Sequence, residues 1–372
     1  MAEILQTDVA VAGGGPVGCA LALALSPSPL SVAWVAGETD AADRPIALSH
    51  GSRLILERLG VWTKIPNTPI ETVHVNCQGF GRTVMRSAEH GLPALGYVSS
   101  YSRIVRELAD RIPAALPGAL RSWETGREGI VLRLSDEVAL RARLLVLADG
   151  GANRHWEYQR DYRQQAIVAE VAVERPRRGV AWERFTAEGP LALLPHGDRY
   201  ALVWSVRPST AASLLGFSDA DFLAALREAF GGRMGEFKTV GRRFAFPLWL
   251  RSGSLSPGPG ILSIGNAAQT LHPVAGQGFN LGLRDAWELA QMLLDAQRDE
   301  IGSDRFVARY VRKRRVDRRA AIGATDFLTR IFSNPFPPLA AARGAGLALL
   351  DAFPPARSFL ARRMIFGARA LP

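Results

Sequence analysis

The apolar, β-rich stretch Thr7 to Ala12 and the continuous apolar run Leu144 to Ala148 predict buried parallel strands, with another strand near Ser31 to Val35. After the first of these, Cys19 to Leu25 predicts a helix, ended by the Ser-Pro-Ser-Pro break before the strand near Ser31. From Ala166 to Val206 the pattern changes. Four strands follow one another, Ala166 to Val173, Val180 to Phe185, Leu191 to Leu194 and Tyr200 to Val206, separated by Arg-Pro, Glu-Gly-Pro and His-Gly-Asp turns. Residues 70 to 98 predict further strands, with turns at Gly79 and Gly81. Helical periods cover the stretch from Ser49 through Leu59, Tyr101 to Ala109, a segment running to Phe230 that opens on a Ser218/Asp221 capping box, and Tyr310 to Phe332. After a short strand at Ile261 to Ile264, Leu283, Ala286, Leu289 and Leu293 mark one face of a helix that begins near Phe279.

The turns between these elements carry the candidate chemistry. Gly13-Gly14-Gly15-Pro16-Val17-Gly18 lies between the first strand and the first helix, the place where GxGxxG lets a dinucleotide pyrophosphate approach a helix N-terminus. Gly13, Gly15 and Gly18 are the candidate contacts, and a glycine-rich turn without a ligand is the competing reading. The acidic residue that usually closes the second strand is replaced by Val35-Ala36-Gly37, and Glu38 is the nearest carboxylate able to reach a ribose. Arg44 suits a phosphate, or is a solvated surface side chain. Asp149-Gly150 ends the third parallel strand, where open sheets bind ligands, and Asp149 could equally cap its own turn. Around Gly265 to Gly282, glycines at 276 and 278 allow close approach to a flat ligand such as a flavin ring, next to the coming helix dipole. Trp182, Phe185, Tyr200 and Trp204 could wall an aromatic or lipid pocket, or be plain core.

The chain has 372 residues, 48% of them hydrophobic and 22% charged, a globular balance long enough for two interlocked domains. Net charge is +10, which favours anionic partners, yet no zinc spacing and no basic helix interleaved with aromatics points to nucleic acid. Cys19 and Cys77 form no disulfide framework and read as reduced, core or near-core residues. A strand begins almost at once and no apolar run is long enough to span a bilayer, so a cytoplasmic protein with at most a surface attachment to the inner membrane is expected. The Arg312-Lys313-Arg314-Arg315 and Arg318-Arg319 run reads as a solvated helix face, or as a contact for anionic lipid. The last forty or so residues, with Arg343, Arg357, Arg362, Arg363 and Arg369, read either as an amphipathic membrane-surface element or as a helical tail packed on the domain.

Taken in order, these pieces resemble the ubiquinone-biosynthesis hydroxylases, a branch of the class A flavin monooxygenases with the para-hydroxybenzoate hydroxylase fold. The likeness runs through Gly13 to Gly18, Arg44 to Ser49, Asp149-Gly150, Gln164 to Ala166, Glu183-Arg184-Phe185 with Gly189 to Pro195, and Thr325-Asp326. Its most specific stretch is Asn266 to Gly282, with Asn266-Ala267-Ala268-Gln269 where many relatives carry Asp-Ala-Ala-His. The resemblance implies FAD, with Gly13, Gly15 and Gly18 at the pyrophosphate and Arg44 and Arg103 on the phosphate or ribityl side. It places Asp149 and Gly150 in the FAD and nicotinamide region, Gly265 and Asn266 at the ribityl chain, and Pro273, Gly276, Gln277 and Gly278 beside the isoalloxazine. It implies NAD(P)H as co-substrate and O2 activated as a C4a-hydroperoxyflavin that hydroxylates a polyprenylated phenol. Trp156 stands where an arginine often ends the Asp-Gly motif. His272 and Pro273 are the catalytic candidates, His272 as a proton relay or as a hydrogen-bonded structural residue.

The resulting expectation is an α/β chain in which a Rossmann-like FAD-binding domain (1–69, 99–160 and 256–330) is interleaved with a β-sheet substrate domain (70–98 and 161–255), followed by a C-terminal helical segment (331–372). A polyprenyl phenol, other ubiquinone-biosynthesis proteins and a membrane surface are the expected partners. A hydroxylase of soluble aromatics, or a weakly FAD-binding scaffold in the biosynthetic complex, is the rival expectation.

Overall fold

The computed structural model describes residues 4–37, 43–135, 139–151, 155–332 and 337–367. Strands Leu5–Ala12, Val32–Val35, Ala139–Leu147 and Ile261–Ser263 are mutually parallel at the centre of a sheet whose other edge is the antiparallel pair Gly129–Leu134 and Leu120–Gly126. The three expected parallel strands are here, buried over Val9–Ala12, Ala33–Val35 and Leu144–Leu147. The antiparallel edge pair adds to them, with Leu120–Gly126 exposed almost throughout and Gly129–Leu134 buried on one face.

Helix α1 (Pro16–Leu25) covers one face of this sheet, and its close packing explains its glycines. A Cβ on Gly18 would collide with the Gly13 carbonyl, and one on Gly13, whose φ is +138°, with the Ala148 carbonyl. Helices α2 (His50–Arg58) and α3 (Tyr101–Ala109) follow, capped by Ser49 and Ser100, whose hydroxyls accept the Ser52 and Arg103 N–H groups.

The second sheet runs in the order Gln269–Thr270, Phe244–Ser252, Tyr158–Val173, Arg199–Val206, Pro190–His196, Val180–Phe185, Thr72–Cys77 and Arg82–Arg86. Helices α4 (Pro208–Gly216) and α5 (Asp219–Phe230) cover one face, burying Tyr200 and Trp204 with Phe222 and Phe230. The Ser218/Asp221 box opens α5 as expected, with the Ser218 hydroxyl accepting the Asp221 N–H at 3.2 Å. A small sheet of Pro45–Ser49, Gly96–Ser100 and Asn67–Ile70 stands between the two large ones.

Helices α6 (Gln277–Leu294) and α7 (Asp304–Phe332) return to the first sheet. The chain ends in α8 (Pro337–Ala352) and α9 (Pro354–Phe366). This tail packs on the body of the protein. Asp351 accepts the Val84 N–H at 3.1 Å, Arg343 donates to the Ile331 and Phe332 carbonyls, and Ala361 and Ile365 are buried. Of the two readings of the tail, the packed helical one describes these contacts. No helix among the described residues is long and apolar enough to cross a membrane.

Candidate flavin site

Three glycine turns meet at the carboxyl ends of the parallel strands. Gly13 lies against Ala148 and Asp149, Gly151 against the Asn266 carbonyl, and Gly265 against Val17 of α1. The expected residues Gly13, Gly15, Gly18, Asp149, Gly150, Gly265 and Asn266 are thus drawn from three distant stretches into one place. Ile264 bonds to Leu147 and Ala148 to Ala12 through their backbones, which sets the three turns in register.

The first turn fits a pyrophosphate. No side chain caps α1 at Gly15, its first turn holds no acidic residue, and only the Tyr101 hydroxyl approaches the position of a Gly15 Cβ, at 3.7 Å. Arg44 lies with its guanidinium carbon 4.3 Å from the centre of the Tyr101 ring, so a cation stands over the ring that faces this helix end. Arg103 sits on the exposed side of α3, paired with Glu107 at 3.6 Å. Asp149 accepts the Gly151 N–H at 3.1 Å, holding a turn in which Gly150 and Gly151 have φ of +78° and +74°. The turn-capping reading of Asp149 is therefore realised. Trp156 packs its ring on Gly151. Glu38 lies outside the described residues.

The second turn fits the edge of a flat ring. Gly276 has a left-handed backbone (φ +60°), where a Cβ would lie 3.4 Å from that of Ala47, and opens α6, so that its helix N-terminus points along the loop from Pro273. Gly276 N–H bonds to the Pro273 carbonyl at 2.9 Å. Asn280 joins this loop to the small sheet. Its Oδ1 accepts from the Ser49 N–H and Ser52 hydroxyl at 2.8 and 2.6 Å, and its Nδ2 donates to the Gly276 and Ala47 carbonyls. Gln277 reaches the other way, to the Met364 carbonyl in α9 at 3.3 Å. A Cβ on Gly278 would meet only Leu271, at 4.0 Å, so space alone does not demand glycine there.

His272 and Pro273 part company. Pro273 lines a cavity, whereas His272 is fully buried. The His272 Nδ1 accepts the Val274 N–H at 3.1 Å, which leaves the ring proton on Nε2, and the ring meets Tyr162 edge to face. Burial pushes its pKa down from 6.5 to about 3, so the imidazole is neutral at physiological pH.

The cavity lies between the small sheet and the second sheet. Its walls are Ala47 to Ser49, the Pro273 to Gln277 loop, the inner face of the second sheet from Ala181 to Ser205, and Ala361, Met364 and Ile365 of α9. The aromatic strand residues Tyr200 and Trp204 are core on the opposite face.

A buried ionic network holds the second turn from behind. Asp285 of α6 accepts from Gly265 N–H (3.1 Å), Gln269 Nε2 (2.9 Å) and Arg314 Nε (2.8 Å). Arg314 continues to Asp317, which also receives Arg284, while Arg318 bonds Gln269 and the Ser252, Gly253 and Ala268 oxygens. Asp285, Arg314 and Asp317 are 1%, 2% and 5% exposed. This corrects the reading of the arginine run in part: Arg312, Arg315 and Arg319 are exposed as a solvated face requires, whereas the buried Arg314 and partly buried Arg318 carry the Gly265–Thr270 loop. Asp285 within the buried stripe of α6 is the sequence signal that could have revealed it, because a buried carboxylate demands a cation.

The FAD binding domain family matches residues 6–325. Ubiquinone hydroxylase UbiL of Rhodospirillum rubrum is 33% identical, over 95% of this chain and 88% of that protein. The 3-demethoxyubiquinol 3-hydroxylase of Escherichia coli is 31% identical, over 92% of this chain and 94% of its own length. Among solved structures, p-nitrophenol 4-monooxygenase PnpA of Pseudomonas putida shares the fold with a TM-score of 0.79 at 16% identity, covering 98% of this chain and 100% of that one. The chain belongs to the FAD binding domain family, as an FAD-dependent monooxygenase related to the ubiquinone hydroxylases.

Proposed function

We propose that this protein hydroxylates a polyprenylated phenol in ubiquinone biosynthesis, using NAD(P)H and O2. The observation that supports this most directly is the cavity beside the Pro273 to Gln277 loop, apolar over nearly all its lining and closed by α9. Such a space suits a ring bearing a greasy chain, and the hydroxylases named above act, by their names, on ubiquinone-type molecules. Bound FAD supplies the electron transfer and oxygen activation, and the protein supplies position, dryness and charge.

Within that reading, Gly13, Gly15 and Gly18 receive the pyrophosphate, with Arg44 and Arg103 on its phosphate or ribityl side. Asp149, Gly150, Gly265 and Asn266 lie along the ribityl chain. Pro273, Gly276, Gln277 and Gly278 border the ring, where the α6 dipole favours negative charge on a reduced flavin. His272, buried and neutral, orders the loop through the Val274 N–H. The first sheet with α1, α6 and α7 forms the FAD domain and the second sheet the substrate domain, interleaved along the chain. Leu349, Phe353 and Phe359 project from the tail with 70%, 55% and 62% exposure, and Arg363 stacks on Phe359. Such a face, on the helices that close the cavity, suits attachment to the inner membrane surface, where the substrate and partner enzymes reside.

Disrupting the gene and identifying accumulated quinone precursors by mass spectrometry tests the proposal. A prenylated phenol lacking one ring hydroxyl is expected. Normal ubiquinone with no precursor rejects the assignment, and faster turnover of small soluble phenols than of the prenylated one by the purified enzyme favours a soluble aromatic substrate.

A further inference from the structure

Among the described residues that line the cavity, five carry a hydroxyl, amide or carboxyl group: Ser49, Glu183, Ser205, Gln277 and Asn280. Four of them are engaged within the protein. Asn280 bonds Ser49, Ser52, Ala47 and Gly276, the Ser49 hydroxyl caps α2, Gln277 reaches Met364, and Glu183 has a partner of its own. The Ser205 hydroxyl has no partner among the described residues. Alternation along Arg199–Val206 turns Val203 and Ser205 to the cavity and Leu202 and Trp204 to the core under α4 and α5. Across the sheet Ser205 pairs with Ala166, whose side chain accepts no hydrogen bond. The turn beside it is engaged elsewhere: Gln164 Nε2 donates to the Glu188 carbonyl, and the Glu188 carboxylate accepts from the Arg207 N–H and the Thr210 hydroxyl. Gly189 keeps that corner clear, since a Cβ there would lie 3.1 Å from the Ser205 Cβ. A hydroxyl held without a partner in an apolar space is a net cost to the fold, and binding sites set a few such groups in apolar walls to orient a ligand.

We propose that Ser205 is a specificity-determining residue, whose hydroxyl donates a hydrogen bond to an oxygen substituent on the substrate's ring. This rests on the proposed function above. Apolar walls attract an alkyl chain and an aromatic ring alike, because the hydrophobic effect has no direction, so they do not choose which end of a greasy phenol enters first. A single donor does choose, because its bond is directional and only the ring end carries an acceptor. A molecule seated chain-first, or a ring without oxygen, leaves the Ser205 hydroxyl unpaired and is disfavoured by the bond it fails to make.

Binding measured without turnover tests it. In flavin absorbance titrations of the FAD-loaded protein, Ser205→Ala should weaken 4-nonylphenol by roughly 10-fold and leave nonylbenzene, the same molecule without its oxygen, unchanged. Ser205→Thr, which keeps the hydroxyl, should recover most of the loss. In turnover of the prenylated phenol, Ser205→Ala should raise KM by a similar factor. With no ligand present, Ser205→Ala should melt at or above the wild-type temperature, since no bond within the protein is removed. A lower melting temperature for Ser205→Ala overturns the proposal, as does equal weakening of both ligands, no weakening of either, or failure of wild type to bind 4-nonylphenol. If wild type hydroxylates no prenylated phenol, the functional reading fails instead, and the selective loss of 4-nonylphenol still decides whether Ser205 meets a ring oxygen.

Discussion

The two glycine turns of the flavin site do similar work and are secured in opposite ways. The Gly13–Gly18 turn is held by what is missing: any Cβ on Gly13 or Gly18 would enter backbone, so strand and helix close on each other without a single ionic contact in the turn. The Gly265–Gly278 turn is held by what was added, a chain of buried charges from Asp285 through Arg314 to Asp317, with Arg318 alongside. Packing without side chains is local and tolerates no substitution. A buried ionic brace reaches across fifty residues and fails as a unit when one member is lost.

The sharpest way to break this contrast is Arg314→Leu, which leaves Asp285 a buried carboxylate without its cation and takes one of two arginines from Asp317. It should cost ~3–5 kcal/mol in urea unfolding and loosen the second turn. Gly18→Val should cost ~1–3 kcal/mol by overpacking, and abolish FAD retention, read as a colourless purified protein. If Gly18→Val keeps its flavin, the pyrophosphate does not sit at that turn.

Asn280→Ala lies between the two modes, since Asn280 serves only to tie the Gly276 loop to Ala47 and Ser49. It should lose ~1–3 kcal/mol, because the Ser49 N–H and Ser52 hydroxyl are left without their acceptor, and weaken FAD binding measured by fluorescence titration.

His272 gives the smallest and most diagnostic effect. The folded protein protonates it only near pH 3, against an ordinary 6.5, so between those values the unfolded chain binds the extra proton. Its contribution is therefore fully present above pH 6.5 and is lost as pH falls, at up to ~1.4 kcal/mol per pH unit. His272→Asn, which keeps an acceptor for Val274, should show an unfolding free energy that falls less between pH 7 and pH 5 than wild type does, by ~1–2 kcal/mol. Equal losses in the two proteins would place His272 in contact with water.

Most elements could be read from pattern. The parallel strands, α1, α3, α5 and the inner strands of the second sheet fall where apolar period and capping residues put them, because burial on one or two faces imposes a local period. Three features could not be read that way. Strand Leu120–Gly126 is exposed almost throughout and offers no apolar face, and the alternation of buried Ile130, Leu132 and Leu134 in Gly129–Leu134 is too short to stand out alone. The arginine run of α7 looks solvated by composition, and only the approach of Asp285 from α6 makes Arg314 internal. Tail residues Ala361, Met364 and Ile365 complete a cavity whose other walls lie far earlier in the chain.

The sequence by itself determined the glycine positions, the strand and helix periods and the family, because each depends on residues close together in the chain. Tertiary structure decided which charges are buried, which polar groups hold the loops of the site together, and that α9 closes the cavity. Those are properties of neighbours supplied by other strands and helices, and no local pattern records them.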